Sequence, residues 1–184
     1  MSFRGNERIV LNELETVLDE ISQEQVDRAV GLINQSDKIF FHALGRAGYA
    51  GKSFVMRLMH MGREVYVMGD TNTPNFEKGD LLILCSGSGE TKQFVDLARK
   101  AKGFGGKVLV FTATPGSTLT QMADGVILIK APSKKQEDSE FVSVQPMASL
   151  FEQGILLAGD IIVLGMMEQA TDGKEMFKRH SNLE

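Results

Sequence analysis

The sequence predicts a doubly wound α/β fold, a five-stranded parallel sheet flanked by helices in three layers, and three observations predict it. Five short apolar runs, KIFFHAL, REVYVM, DLLILCS, KVLVFTA and GVILIKA, succeed one another from residue 38 onward. Each is apolar at consecutive positions rather than alternating, as expected of strands covered by helices on both faces. Between them lie helical stretches, at 47–61, 90–104 and 117–122, long enough for right-handed crossovers between parallel strands. A closed α/β barrel would need about 250 residues, more than the 184 of this chain.

Two amphipathic stretches precede the sheet, at 6–20 and 23–34, and predict an N-terminal helical hairpin. Ser22 followed three residues later by Gln25 resembles a capping box that starts the second helix. After the fifth strand, the polar run PSKKQEDSE at 132–140 predicts an exposed loop, and Pro146 suits the first turn of a last long helix reaching about residue 170. Asp172 starts a short terminal helix. Within the long helix, GILLAGDIIVLGMM at 154–167 is the most apolar segment. It is shorter than the ~20 residues a bilayer span needs, so a buried helix is expected. With no repeat and no linker, 1–184 reads as one domain.

The chain is 42% hydrophobic and 24% charged, with a net charge of -4. That charge excludes general electrostatic attraction to nucleic acid or anionic lipid. Cys85 is the only cysteine, so no intrachain disulfide can form, and its apolar run LLILC marks it as a buried residue of a reducing compartment. The N-terminus mixes charges from the outset and has no signal-peptide core, so a cytoplasmic protein is expected.

The strongest local motif is the strand LLILC followed by Ser86-Gly87-Ser88-Gly89-Glu90-Thr91 and then a helix. In an open α/β sheet, ligands bind beyond the carboxyl ends of the strands, where this loop must fall. Its glycines permit a tight turn and close approach, its hydroxyls are donors, and the following helix start offers free amides. A phosphate monoester is the fitting guest. A second glycine loop, with Gly45 and Arg46, ends the first strand. Its spacing, GxxGxxG, is not the dinucleotide fingerprint, so no nicotinamide cofactor is expected. Arg46 can meet phosphate or a sugar hydroxyl, whereas Arg57 serves equally as a structural ion pair. The histidines and Cys85 show no metal-ligand spacing, so no metal is expected. Met56, Met59 and Met166 suit a helix–helix contact between subunits.

Three further residues are candidates for proton transfer. Glu152 stands in SLFEQGILLAGD, a segment otherwise too apolar to favour a carboxylate, and is the candidate base. His60 ends the helix VMRLMH beside the polar crevice or a subunit interface, and His180 lies in the terminal KRHSNLE. Histidine is the side chain most readily poised for proton exchange near neutral pH. His42, inside the first strand, reads as a hydrogen-bonded core residue.

Taken in one order, GRAGYAGKSFVMRLMHMG, SGSGET, the LFEQ helix and the RHSNLE tail resemble the 6-phospho-3-hexuloisomerase family, single sugar isomerase (SIS) domains of flavodoxin-like architecture. SGSGET marks only the wider superfamily, whereas FVMRLMHMG and KRHSNLE point to this isomerase. One departure is Ala47, where many SIS relatives carry serine. The resemblance implies interconversion of a hex-3-ulose 6-phosphate and fructose 6-phosphate through a cis-enediolate, without a cofactor. It implies Ser86, Gly87, Ser88, Thr91, Gly45 and Arg46 as substrate-binding residues and Glu152, His60 and His180 as catalytic ones, with the tail reaching a site shared with a neighbouring subunit. It further implies a homotetramer in the ribulose monophosphate pathway of formaldehyde assimilation, fed by a 3-hexulose-6-phosphate synthase. Alternatives are an isomerase of arabinose 5-phosphate or sedoheptulose 7-phosphate, and a non-catalytic sugar-phosphate sensor. Sensors of that kind resemble a SIS domain joined to a helix-turn-helix module, for which this chain has no room.

Overall fold

In a computed structural model, the chain is described at residues 2–132, 141–170 and 172–183. Most of the polar run expected as a loop, 133–140, lies outside the described residues. The elements in order are α1 (Phe3–Asp19), α2 (Gln23–Gln35), β1 (Ile39–Ala43), α3 (Gly45–His60), β2 (Val65–Val67), β3 (Leu81–Cys85), α4 (Lys92–Gly103), β4 (Lys107–Thr112), α5 (Thr118–Met122), β5 (Gly125–Leu128), α6 (Ser149–Ala170) and α7 (Gly173–Phe177). The five strands form one parallel sheet in the order β2-β1-β3-β4-β5. The chain leaves β1 toward β2 on one side and returns to β3 on the other, so the crevice beyond β1 and β3 is the topological switch point.

The strand side chains alternate between two cores. Ile39, Phe41, Leu81, Ile83, Cys85, Leu109 and Phe111 join a cluster with α1, α2, α3 and α6, whereas Phe40, Leu82, Leu84, Val108 and Val110 pack against α4 and α5. Both faces are therefore apolar, which is why the strands read as continuous hydrophobic runs. Helix α3 approaches the sheet closely because Gly51 lies on the ring of Phe41. A Cβ there would fall 2.3 Å from Phe41 Cζ.

The expected Ser22 cap is present, with its side chain accepting from Gln25 N. Asp172 caps α7 by accepting from Lys174 N and Glu175 N. Two expectations are corrected. Pro146 is not in the first turn of α6, because Met147 takes a φ of 57 and turns the chain out of helical geometry before Ser149. The length argument against a membrane span also fails: α6 runs for 22 residues, and by length and composition Ser149–Glu168 could cross a bilayer. Half of that stretch is buried inside the protein, chiefly where α6 packs on α3, as expected of a core helix.

Candidate active site at the ends of β1 and β3

The loop after β3 is held in one shape by its own hydrogen bonds. Ser86 N donates to Phe111 O at 2.9 Å, Gly89 N donates to Ser86 Oγ at 3.2 Å, and Glu90 N donates to Ser88 Oγ at 3.3 Å. Gly89 has a φ of 64, and a Cβ there would fall 2.0 Å from Ser117 Oγ, so both the turn and the space require glycine. Glu90 is a fastening rather than a ligand. Its two carboxylate oxygens accept from Thr118 N and Thr118 Oγ1, both at 2.7 Å, and these bonds hold its carboxyl below the usual carboxylate range.

Thr91, the N-cap of α4, makes no side-chain capping bond. Its hydroxyl lies 3.4 Å from Ser86 Oγ instead. The first amides of α4 are thus left without a side-chain acceptor at the positive end of the helix dipole, an arrangement suited to an anion.

Across the crevice, Gly45, Arg46 and Ala47 open α3, and Glu152 lies in the first turn of α6. All of these face one open cleft of about 1220 Å³. The Glu152 side chain is only 13% exposed, and Arg46 Nε donates to its Oε2 at 2.5 Å. The guanidinium itself is 69% exposed. A largely buried carboxylate needs such a partner, and here Arg46, the cation expected on phosphate or a sugar hydroxyl, also pairs with the candidate base.

Sequence reasoning missed the third wall of the cleft. Thr16 of α1 and Glu20 at its C-terminal end line it, and Lys130 Nζ pairs with Glu20 Oε2 at 2.7 Å. It also missed how the approach to α6 is fixed. Glu13 of α1 is 7% exposed, and its carboxylate accepts from Ser143 Oγ, Val144 N and Gln145 Nε2 at 2.7 to 2.9 Å. Burial alone would raise the Glu13 carboxyl, but the bonds from Gln145, Ser143 and Val144 outweigh it and hold it below its usual value. The segment 142–145 is consequently inverted: Ser143 and Gln145 are buried while Val142 and Val144 face outward. Among the described residues, no group of three or more His, Cys, Asp or Glu is placed to hold a metal.

Gly45, Arg46, Ser86, Gly87, Ser88, Thr91 and Glu152 are thus gathered in one cleft, whereas His60 and His180 are elsewhere in the chain. His60 is the last residue of α3, and at about 1.5 Å per residue it stands roughly 20 Å along the helix from Arg46. There the two imidazoles stack at 5.3 Å in a separate hollow of about 380 Å³, which Arg57 and Asp160 also line. Arg57 Nη1 is 3.3 Å from His60 Nδ1. His42 packs edge-on to Phe94 at 5.2 Å, with Nε2 at 3.3 Å from Gln93 Nε2. Of the three methionines expected at a subunit contact, Met56 and Met59 are exposed, but Met166 is buried in the core cluster that α6 shares with α1, α2 and α3.

Burial, then Arg57 and His180, push the His60 pKa down, and burial alone does so for His42. Both rings therefore bind protons less readily folded than unfolded. Stability is expected to be level above the ordinary value of 6.5, to fall as the pH drops from there toward the lower folded values, and then to level off as far as these rings are concerned. Chemical denaturation between pH 7.5 and 5 measures this, and replacing His60 with Asn should flatten the slope.

Residues 32–157 match the SIS domain family. The chain is 42% identical over 176 residues to the 3-hexulose-6-phosphate isomerase of Bacillus subtilis (strain 168), with 95% of each chain covered. It is 36% identical over 181 residues to the enzyme of that name from Mycobacterium gastri, covering 98% of this chain and 90% of the relative. Its fold superimposes with a TM-score of 0.83 and 33% identity on a Methanococcus jannaschii crystal structure from which a 3-hexulose-6-phosphate isomerase function was inferred, covering 98% of this chain and 99% of that one. A sheet with a serine-lined anion loop at its switch point, joined to this near full-length likeness, places the chain in the SIS domain family, among the 3-hexulose-6-phosphate isomerases.

Proposed function

We propose that this protein is a 6-phospho-3-hexuloisomerase, interconverting D-arabino-hex-3-ulose 6-phosphate and D-fructose 6-phosphate. The observation that carries the reading is the single cleft in which the serine loop faces a nearly buried carboxylate, Glu152. The dianionic ester sits on the hydroxyls of Ser86, Ser88 and Thr91 and the α4 amides, with Gly45 and Arg46 against the sugar. Glu152 removes the proton from C2, the electron pair forms the C2–C3 double bond of the enediolate, and a proton returns at C3. Arg46 supplies positive charge beside the developing oxyanion. No cofactor takes part.

Residues 1–184 read as a single SIS domain, since the described elements share one sheet with a core on each face. His60 and His180 act in a neighbouring subunit's cleft, exchanging protons between O2 and O3 of the sugar. Support for a homo-oligomer, here a homotetramer, comes from the outer face of α6 and α3, where Ile161, Leu164 and Met56 are more than half exposed. The enzyme works in the cytoplasm, in the ribulose monophosphate pathway of formaldehyde assimilation, downstream of a 3-hexulose-6-phosphate synthase.

The substrate is tested by supplying hex-3-ulose 6-phosphate, arabinose 5-phosphate and sedoheptulose 7-phosphate separately. Formation of fructose 6-phosphate is followed through a coupled dehydrogenase, and loss of the other two substrates directly. Turnover of the hexulose ester alone is expected, and turnover only of a five- or seven-carbon ester would remove the assignment. For the shared site, truncation before Arg179 is expected to lower activity more than tenfold, on the scale of a general acid–base contribution, while the melting temperature and oligomeric size persist. Full activity in the truncated chain would make His180 a bystander.

A further inference from the structure

The peptide joining Gly87 to Ser88 is oriented from the neighbouring strand. Gly87 O accepts from Thr112 Oγ1 at 3.2 Å, from Ala113 N at 3.1 Å and from Thr114 Oγ1 at 3.0 Å. Thr112 Oγ1 in turn accepts from Thr114 N at 3.3 Å, which ties the two threonines together. Three donors on one carbonyl is more than its two lone pairs require, and all three come from the end of β4 or the turn beyond it.

In a trans peptide the C=O and the following N–H point in opposite directions, and the chain has no cis peptide. Gly87 O is drawn sideways toward β4, so Ser88 N–H points the other way, toward β1. That is the side on which Gly45 and Arg46 close the cleft. Among the described residues no protein acceptor meets this amide, although Ser88 lines the cleft.

We propose that Thr112 and Thr114 are positioning residues that aim the Ser88 amide at the phosphate of the substrate, an inference that rests on the sugar-phosphate reading of the cleft. Thr112 is fully buried and does not line the cleft, so any effect it has on a ligand must pass through Gly87. Thr114 does line the cleft, but its hydroxyl proton is already committed to Gly87 O, leaving no donor for an ester dianion. Without the threonines Gly87 O keeps only the bond from Ala113 N, and the Ser88 amide is held less firmly in its direction. Such preorganised dipoles are worth more than flexible ones because they need no reorientation when charge arrives.

The test uses the full-length protein as wild type, Thr112→Val, Thr112→Ser and Thr114→Val. Inorganic phosphate and fructose 6-phosphate are titrated by calorimetry, and the Ser88 amide is followed by ¹H–¹⁵N NMR. Thr112→Val keeps the volume and removes the hydroxyl. It is expected to weaken both ligands about fivefold, the scale of one hydrogen bond, with KM rising and kcat moving less. Thr112→Ser should restore most of the affinity. The Ser88 amide proton should move downfield on ligand addition in the wild type and move less in Thr112→Val. Thr114→Val, at a half-buried position, decides the case if Thr112→Val does not fold.

Unchanged affinity and an unchanged Ser88 shift in the valine variants, with fructose 6-phosphate still bound by the wild type, overturn the role of the threonines and leave the substrate reading intact. Wild-type binding of phosphate but not fructose 6-phosphate removes the substrate reading, and the phosphate affinities of the variants still decide for or against the threonines. A wild type that binds neither overturns both.

Discussion

Replacing Glu152 with Gln is expected to lower kcat by roughly 100- to 10,000-fold, the range of a positioned general base, while KM for the sugar phosphate changes by less than about threefold. The substitution is informative because the amide oxygen can still accept from Arg46 Nε, so the pair that closes this side of the cleft survives. Only the capacity to take a proton from C2 is lost, and a loss confined to kcat is the signature of an interaction made in the transition state. Steady-state kinetics with the hexulose ester, alongside a calorimetric titration of fructose 6-phosphate, separates the two quantities. Near-normal kcat would remove Glu152 from the base role.

The second large effect concerns stability. Glu13→Ala removes the acceptor shared by Ser143 Oγ, Val144 N and Gln145 Nε2 and leaves the donors of an otherwise buried segment without a partner. At about 1 to 3 kcal/mol for each unsatisfied buried group, offset where relaxation admits water, a net loss of about 3 kcal/mol is expected. For a chain of this size that lowers the melting temperature by roughly 6 to 12 °C. The same segment leads through Met147 into α6 and Glu152, so activity should fall with it. Because the Glu13 carboxyl is held below its ordinary value of 4.5, its stabilisation is complete above that pH and is lost as the pH falls through the lower folded value. Melting curves of wild type and variant at pH 7 and at pH 3.5 measure both claims, and the gap between them should narrow in acid. A gap that does not change would mean that the charge on Glu13 contributes nothing.

What could be read from the chain and what could not divide along sequence distance. The strands were legible because both faces of the sheet are covered, which leaves LLILC and VLVF no polar position to obscure them. The anion loop was legible because its hydroxyls, its glycines and the helix it introduces are adjacent in sequence. Glu152 stood out as a charge inside an apolar helix.

Pairings across the fold left no such trace. Arg46 meets Glu152 over 106 residues, Lys130 meets Glu20 over 110, and Glu13 meets Ser143 over 130. Nothing local in NELET or FVSVQ announces these contacts. Thr112 and Thr114 drew no notice in the sequence, because a hydroxyl that grips a carbonyl in the loop after the neighbouring strand is visible only once the register of β3 and β4 is known. Met166 was misplaced for a related reason. A helix apolar nearly all round, as α6 is, does not reveal which side is covered, and packing within the core decided it. For His60 the local sequence suggested the crevice or a subunit interface, and the length of α3 separates that end of the helix from the cleft of the same chain.

A crystal structure with fructose 6-phosphate bound tests the central claim most directly. The ester is predicted on Ser86, Ser88 and Thr91, with C2 and C3 about 3 to 3.5 Å from the Glu152 carboxylate, the spacing that proton abstraction needs. An ester bound away from that loop, or a sugar whose C2 and C3 lie beyond reach of Glu152, would contradict it.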